Sequence, residues 1–357
     1  VALDRAGKEI GSCHADGSWK LYKPKVKTTP PVKPKVTVVV HNPEPDQVAK
    51  FVKARDYVIQ CDHTVSEAVR EMAKTIALHL GVGYAGTASY IGTARFNAKM
   101  IAFGCPARSS VVRNVGLLKH SLDAGWPGPG KGVMIPYKNF ERTTLPLLLV
   151  GGSDPAGALA AAQTFYNQVV SKEERASGWE LWSAPLSVRA RVWARPRTEP
   201  THKTIKLSCA RNEYESAQAI ITTYEPLKDI KAELSPLVHA ESGKELKRGT
   251  MTWKRKRTPN PLLRWAEPFP LRPIDGWPGT PDALIERAET TLPAGVSQVL
   301  WITVLGGQKA ESGLYKGEIK VSANGQTQRI PIELTFHDFI LPVDGLKGEP
   351  YMSMHMM

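Results

Sequence analysis

The sequence predicts an α/β domain followed by an antiparallel β-sandwich. Three observations carry that expectation. Between about residues 36 and 182, strand-like apolar runs alternate with segments of helical period, the pattern of an α/β layer structure small enough for an accessory domain. Between about 185 and 342, short β-rich runs recur between turn residues with no helical period, the pattern of a sandwich. A Lys/Pro/Thr stretch upstream marks a boundary, and 357 residues suit two or three domains.

Residues 1–23 read as the tail of a small β module. Asp16-Gly17 signals a turn, and Ser18 to Tyr22 alternates like a closing strand. Residues 24–35 form a Lys/Pro linker that favours extended polyproline II geometry. In the α/β domain, 36–182, strands are expected at Thr37 to Val40, Asp56 to Gln60, Lys99 to Gly104, Gly132 to Pro136 and Leu145 to Val150. Thr64-Val65-Ser66-Glu67 reads as a capping box with Thr64 as N-cap. The helix it opens carries Val65, Val69, Met72, Ile76 and Leu80 on one face and stops at Gly81. Ser109 to Lys119 reads as a short helix. Asp154 caps the next one, with Pro155 at its first position and Leu159, Ala162, Phe165, Tyr166 and Val169 following.

The sandwich, 185–342, is expected to use Val188 to Arg195, Thr204 to Cys209, Ala217 to Thr223, Val299 to Val304, Tyr315 to Ser322 and Arg329 to Phe336. Asn324-Gly325 is a hairpin signal. Pro259 to Pro281 is Pro-rich and aromatic, and reads as a long ordered excursion.

The net charge of +13 favours acidic partners such as anionic polysaccharide. Lys20, Lys23, Lys25, Lys27, Lys33 and Lys35 crowd the linker region. Lys254, Arg255, Lys256 and Arg257 form a second basic patch, beside Trp253. No nucleic-acid-binding motif accompanies that patch, so glycan is the expected partner and nucleic acid is not. No apolar run reaches the roughly 18 residues that a membrane helix needs. Val1 reads as an internal start, without a signal-peptide pattern. No cofactor is implied, and the histidines lack metal-ligand spacing.

Four cysteines, Cys13, Cys61, Cys105 and Cys209, contain no C-x-x-C pair. Cys61 and Cys105 each follow a strand of the same domain. A buried pair of free thiols is the favoured reading, and a Cys61–Cys105 disulfide stays open.

Gly151-Gly152-Ser153-Asp154-Pro155-Ala156-Gly157 has the look of a phosphate cradle at a helix start. Asp154 puts negative charge where a phosphate would sit and Pro155 removes a donor, so a capped strand-to-helix turn is the simpler reading. Cys61 with His63 is formally a nucleophile pair, although a helix-entry histidine explains His63 as well. Arg211, Asn212 and Glu213, with Glu215 close by, offer paired acids beside a cation, or a turn that Glu213 holds. Trp265 and Trp277, with Arg264 and Asp275, are the candidates for stacking on a sugar ring and gripping its hydroxyls. Trp301 alternates with Leu300 and Ile302 and is expected to face an interior or an interface.

The segments Ala210 to Gln218 and Gly313 to Ser322, then Ile330 to Phe339 and Leu341-Pro342, resemble the β-sandwich before the catalytic (β/α)8 barrel of glycoside hydrolase family 123. Leu147 to Gly157 is similar to the strand, GG-x-D-x-x-G, helix element of the accessory domain in hexosaminidases and α-glucuronidases. The resemblance implies a secreted or cell-surface, carbohydrate-active setting. It also implies that 343–357 is a linker and the start of a barrel, near Met352. The family's catalytic Asp-Glu pair lies on the barrel, and no residue here matches it, so no catalytic residue is assigned. On this reading the chain positions a downstream barrel and contacts glycan. The competing readings are a structural subunit of a surface filament or layer, with homo-oligomer contacts, and a stand-alone carbohydrate-binding module.

Overall fold

The computed structural model describes residues 2–3, 9–13, 19–21, 39–86, 99–113, 122–138, 146–188, 190–246, 261–268, 281–285, 290–307, 309–341, 343–344 and 349–350. The chain divides into two compact units, 1–37 and 38–357. In the first, β1 (Ala2–Leu3), β2 (Glu9–Cys13) and β3 (Trp19–Leu21) form an antiparallel sheet in that order. The Lys/Pro linker lies outside the described residues.

The second unit opens with a six-stranded sheet. Its strands are β4 (Val40–His41), β5 (Tyr57–Cys61), β6 (Gly83–Ala85), β7 (Lys99–Gly104), β8 (Gly132–Tyr137) and β9 (Leu147–Gly152), in the order β4-β8-β9-β7-β5-β6. All neighbours are parallel except the antiparallel β8 and β9. The central strands are buried on both faces and therefore read as continuous apolar runs. Ile101, Phe103, Leu148 and Val150 pack in one cluster with the helices. Met100, Ala102, Leu147 and Leu149 pack in another with Val111, Val112 and Leu122. Period-two alternation thus gives both layers of the core.

Three helices cover the first face: α1 (Pro45–Ala54), α2 (Glu67–Leu80) and α3 (Pro155–Gln168). In α2, Val69, Ala73, Ile76, Ala77 and Leu80 are buried, and Gly81 ends the helix in the left-handed region at φ 68°. The capping box is corrected. Ser66, not Thr64, is the N-cap, and the helix starts two residues later than Val65. Thr64 is drawn away because its amide donates to Asp62 Oδ1 and its hydroxyl donates to the Arg108 carbonyl. A helix opens at residues 110–113, and the rest of the expected Ser109 to Lys119 helix lies outside the described residues.

Two further sheets face one another. The first has the order β10-β12-β18-β15-β16, formed by β10 (Trp179–Ala184), β12 (Tyr214–Thr223), β18 (Ser297–Leu305), β15 (Leu262–Pro268) and β16 (Pro281–Ile285). The second has the order β11-β20-β19-β13-β17, formed by β11 (Ile205–Arg211), β20 (Gln326–Ile340), β19 (Gly313–Ala323), β13 (Leu227–Leu234) and β17 (Thr290–Leu292). The short β14 (Val238–His239) pairs with β19. Side chains from both sheets, including Ile205, Leu207, Ala219, Ile221, Leu300, Ile302, Ile319, Leu334 and Phe336, fill one core. Asn324 and Gly325 both take positive φ, 47° and 74°, as a tight hairpin between β19 and β20 requires.

The expected fold class is corrected in three places. Among the described residues, no (β/α)8 barrel begins. After the sandwich, β21 (Val343–Asp344) and β22 (Glu349–Pro350) form an antiparallel hairpin, in a molecule that is mostly β-sheet, and Met352 lies outside the described residues. The sandwich is not wholly antiparallel, because β11 pairs parallel to β20. Finally, β10 pairs with β12, so the sandwich begins near residue 179, before the expected boundary of 182–185. Val188 to Arg195 is not a strand. It is a turn-rich loop whose Ala190, Trp193, Ala194 and Arg195 are buried. The Pro259 to Pro281 excursion is in part strand β15.

That loop joins the sandwich to the α/β layer. Trp193 packs on Val58 of β5 and Ala85 of β6. Gly83 lies so close to the loop that a Cβ there would sit 2.1 Å from the Trp193 carbonyl oxygen. The Ala176 amide donates to the His79 carbonyl at 2.8 Å.

Candidate functional site

The strand order reverses between β5 and β7. From β5 the chain passes through α2 to β6 on one side, whereas β7 is followed outward by β9, β8 and β4. Open α/β sheets bind ligands outside the carboxyl ends of the strands at such a point. The groups placed there are Asp62, His63 and Thr64 after β5, Cys105 to Ser109 after β7, and Ser153 and Asp154 after β9.

Asp62, Ser109, Ser153 and Asp154 in this crevice each hold a piece of the fold. Asp62 is buried; its Oδ1 accepts from the Thr64 amide at 3.1 Å and lies 3.2 Å from His63 Nδ1. Ser109 Oγ accepts from the Val112 amide at 3.3 Å. Asp154 accepts from the Gly157 amide at 2.7 Å and from the Gly130 amide at 2.8 Å. Ser153 Oγ accepts from the Gly128 amide at 3.2 Å. Gly157 is required by close approach, since a Cβ there would meet the Lys131 carbonyl oxygen at 2.2 Å. The carboxylate of Asp154 therefore occupies the donors that a phosphate would need.

These bonds, the one from Gly157 foremost, hold the Asp154 carboxyl below the usual carboxylate range. Asp154→Ala is expected to lower stability by about 1 kcal/mol at neutral pH, the usual size of an N-cap effect. A depressed folded pKa contributes stability that is complete above the unfolded value, about 4, and is lost as pH falls through the folded value. The wild-type advantage in denaturant midpoint should thus be flat from neutral pH to about 4 and shrink below it. An advantage that grows in acid would contradict the cap.

The nucleophile reading of Cys61 and His63 is corrected. Cys61 is fully buried, and burial pushes its thiol up to about 12, with the Asp62 charge adding to it. Cys61 and Cys105 are both free thiols, so the disulfide reading is corrected as well, and Cys209 is also free and buried. Burial raises Cys105 too, and takes Cys209 to about 12. In a Cys13→Ser variant, native protein at pH 8 is expected to resist a thiol reagent and to release three reactive thiols on denaturation. Prompt native labelling would contradict the buried placement.

Arg211, Asn212 and Glu213 carry the chain from one sheet of the sandwich into the other. Asn212 takes φ 63°, its amide donates to the Gly306 carbonyl at 2.7 Å, and its Nδ2 donates to the Leu341 carbonyl at 3.2 Å. Glu213 does not pair with Arg211. Its Oε2 accepts from the Ala210 amide at 2.7 Å, while Arg211 Nη2 pairs with Asp338 Oδ1 at 2.6 Å. Burial, with the Glu213 charge second, pushes Glu215 above the usual carboxylate range. A serine, a histidine and an acid also meet near β14. There the Ser242 hydroxyl donates to Glu311 at 3.0 Å, and His239 Nδ1 accepts from the Ser242 backbone amide at 3.1 Å. That amide keeps the ring in a structural role.

Trp265 is corrected as a sugar platform. It is 2% exposed, in the sandwich core, where a glycan ring cannot reach it. Arg264 is half-buried on the opposite face of β15, across from Trp301 of β18. Trp301 packs against the cluster of Trp182, Ala190 and Ile220. Trp277, Asp275 and the basic patch Lys254, Arg255, Lys256 and Arg257 lie outside the described residues. Among the described residues, no group of three or more His, Cys, Asp or Glu side chains could hold a metal ion. No described helix is long and apolar enough to cross a membrane.

Sequence reading missed Arg195. It is 2% exposed and donates from Nη1 to the Ala194 carbonyl at 2.8 Å and from Nη2 to the Gly295 carbonyl at 2.6 Å. The only signal was an arginine directly after the apolar run Val192-Trp193-Ala194.

No family model matches the chain, and no curated protein does. Among solved structures, it is similar to a family 123 glycoside hydrolase from Clostridium perfringens at a TM-score of 0.37 and 11% identity. That likeness covers 46% of this chain and 28% of the enzyme, so the chain spans well under a third of that protein. It is also similar to MyfA, the major subunit of Myf fimbriae from Yersinia enterocolitica, at a TM-score of 0.21 and 9% identity, over 44% of this chain and 98% of MyfA. The Pseudomonas aeruginosa CupB2 chaperone gives a TM-score of 0.21 and 9% identity, over 38% and 53%. No residue role is taken from these likenesses.

Proposed function

We propose that the chain is a non-catalytic structural subunit of an extracytoplasmic surface assembly. One observation carries this reading: the α/β layer and the sandwich are fixed to each other through backbone. Gly83 admits the Trp193 carbonyl, and the buried Arg195 ties the same loop to Gly295. Such a joint suits a part that bears load or sets spacing, since domains joined by small polar interfaces move by default. The polar groups of the crevice support the same reading, because Asp62, Ser109, Ser153 and Asp154 are engaged with backbone amides. The net charge of +13 suits an anionic cell-surface polymer as neighbour. The motif resemblance to secreted enzymes supports an extracytoplasmic setting.

The test is sedimentation velocity and negative-stain microscopy of the whole chain across a range of concentrations, with and without anionic polysaccharide. Regular oligomers, arrays or polymer-bound layers are expected. A monomer under all conditions, or turnover of aryl glycosides, would overturn the proposal.

A further inference from the structure

Among the described residues, the sandwich closes one of its sheet edges and leaves another unpaired. At the edge strand β10, Gln328 closes the ladder: its Oε1 accepts from the Leu181 amide at 2.8 Å and its Nε2 donates to the Trp179 carbonyl at 2.7 Å. The His202 amide then takes the Ser183 carbonyl at 2.9 Å. Blocking an edge in this way prevents pairing with another chain.

The edge strand β11 of the second sheet is different. Arg211 turns its carbonyl inward to the Leu341 amide, whereas Ala210 turns its amide outward to Glu213. A strand alternates these directions along its length, so Lys206 and Ser208 also direct their N–H and C=O groups away from β20. Both residues are exposed, and those backbone groups have no partner among the described residues. The open stretch ends at Ala210, where Glu213 and Gly306 cover the backbone.

The edge is also basic. From Thr201 to Arg211 the chain contains no acid. Arg211 is neutralised by Asp338, whereas the exposed Lys203 and Lys206 make no ion pair among the described residues. Glu333 lies one strand inward, opposite Lys206. A strand laid along the outer edge would therefore meet Lys206 first.

We infer that β11 is a docking edge for an extended acidic peptide segment of a partner protein. The peptide adds as a new strand, exchanging backbone hydrogen bonds with Lys206 and Ser208 and setting carboxylates beside Lys203 and Lys206. This goes beyond the scaffold reading, because a chain that never assembles could still take the peptide.

The probe is a fluorescein-labelled octapeptide of alternating valine and glutamate, read by anisotropy against the full chain at low salt. Its valine–lysine counterpart and a proline-interrupted version serve as controls. Saturable binding is expected for the acidic peptide, at least tenfold weaker for both controls. Ser208→Pro removes an outward N–H, together with the hydrogen bond between Ser208 Oγ and His337 Nε2 at 2.8 Å, and is expected to weaken binding at least tenfold with only a small drop in melting temperature. Lys206→Glu leaves the backbone intact and is expected to weaken it at least fivefold, which keeps the test valid if the proline variant fails to fold. Hydrogen exchange at Lys206 and Ser208 should slow on binding. No saturable binding, or binding unchanged by Lys206→Glu, overturns the inference. Self-association of the chain that Ser208→Pro abolishes overturns it too, by making a second copy the occupant.

Discussion

Replacing Arg195 with alanine is expected to destabilise the 38–357 unit by about 2–3 kcal/mol, the usual size when hydrogen bonds from a buried charged group are removed and their backbone acceptors are left unsatisfied. Arg195 brings a charge into the protein interior, and burial pulls the guanidinium down to about 10, so it is still protonated at neutral pH. Backbone carbonyls and Ser297 Oγ, at 3.2 Å, surround it. Ser297 Oγ in turn donates to the Ala194 carbonyl at 2.6 Å. Trp182 Nε1 donates to Thr222 Oγ1, which lies 2.7 Å from Ser297 Oγ. Truncation strands the Gly295 carbonyl and empties the space beneath the 188–195 loop. Lysine keeps the charge without the planar fork and is expected to recover less than half of the loss. Urea denaturation of the wild type and both variants measures this. A loss below about 1 kcal/mol for alanine would show that the network is dispensable.

Gly83→Ala is the second large effect, at about 3 kcal/mol or more, beyond the ordinary range for overpacking. The new methyl would lie 2.1 Å from the Trp193 carbonyl oxygen, and that atom belongs to backbone, which cannot rotate away. Either β6 shifts or the 188–195 loop lifts from Val58 and Ala85. Calorimetry is expected to show the single transition of the wild type resolving into two, with new proteolytic cleavage near residues 186–195. A variant that melts as one unit at the wild-type temperature would mean that the joint is more compliant than its geometry implies.

Both predictions concern a loop that sequence reading took for a strand. Val188 to Arg195 has strand-like composition, yet its apolar residues serve a joint between two modules. Composition reports that residues are buried and is silent on what buries them. The same limit explains Trp265, whose Pro-rich neighbourhood suggested a surface platform but whose strand turns it into the core. It explains Thr64 as well: the capping motif was locally sound, and hydrogen bonds from Thr64 to Asp62 and Arg108 moved the N-cap to Ser66 and the helix start to Glu67. Asp154-Pro155 was legible because an N-cap is decided within four residues. Asn324-Gly325 was legible because the turn demands two positive φ angles.

By itself, the sequence determined the alternation of buried strands and helices in 38–168, the recurrence of short strands after residue 200, and the caps and turns between them. These depend on contacts near in the chain and on the periods of helix and strand. Only the tertiary structure decided that β10 belongs to the sandwich, and that β11 runs parallel at an edge left unpaired among the described residues while β10 is closed by Gln328. Each of these is a pairing between residues far apart in the chain, such as Leu181 and Gln328, and local propensity holds no information about which distant strand will supply the missing hydrogen bonds.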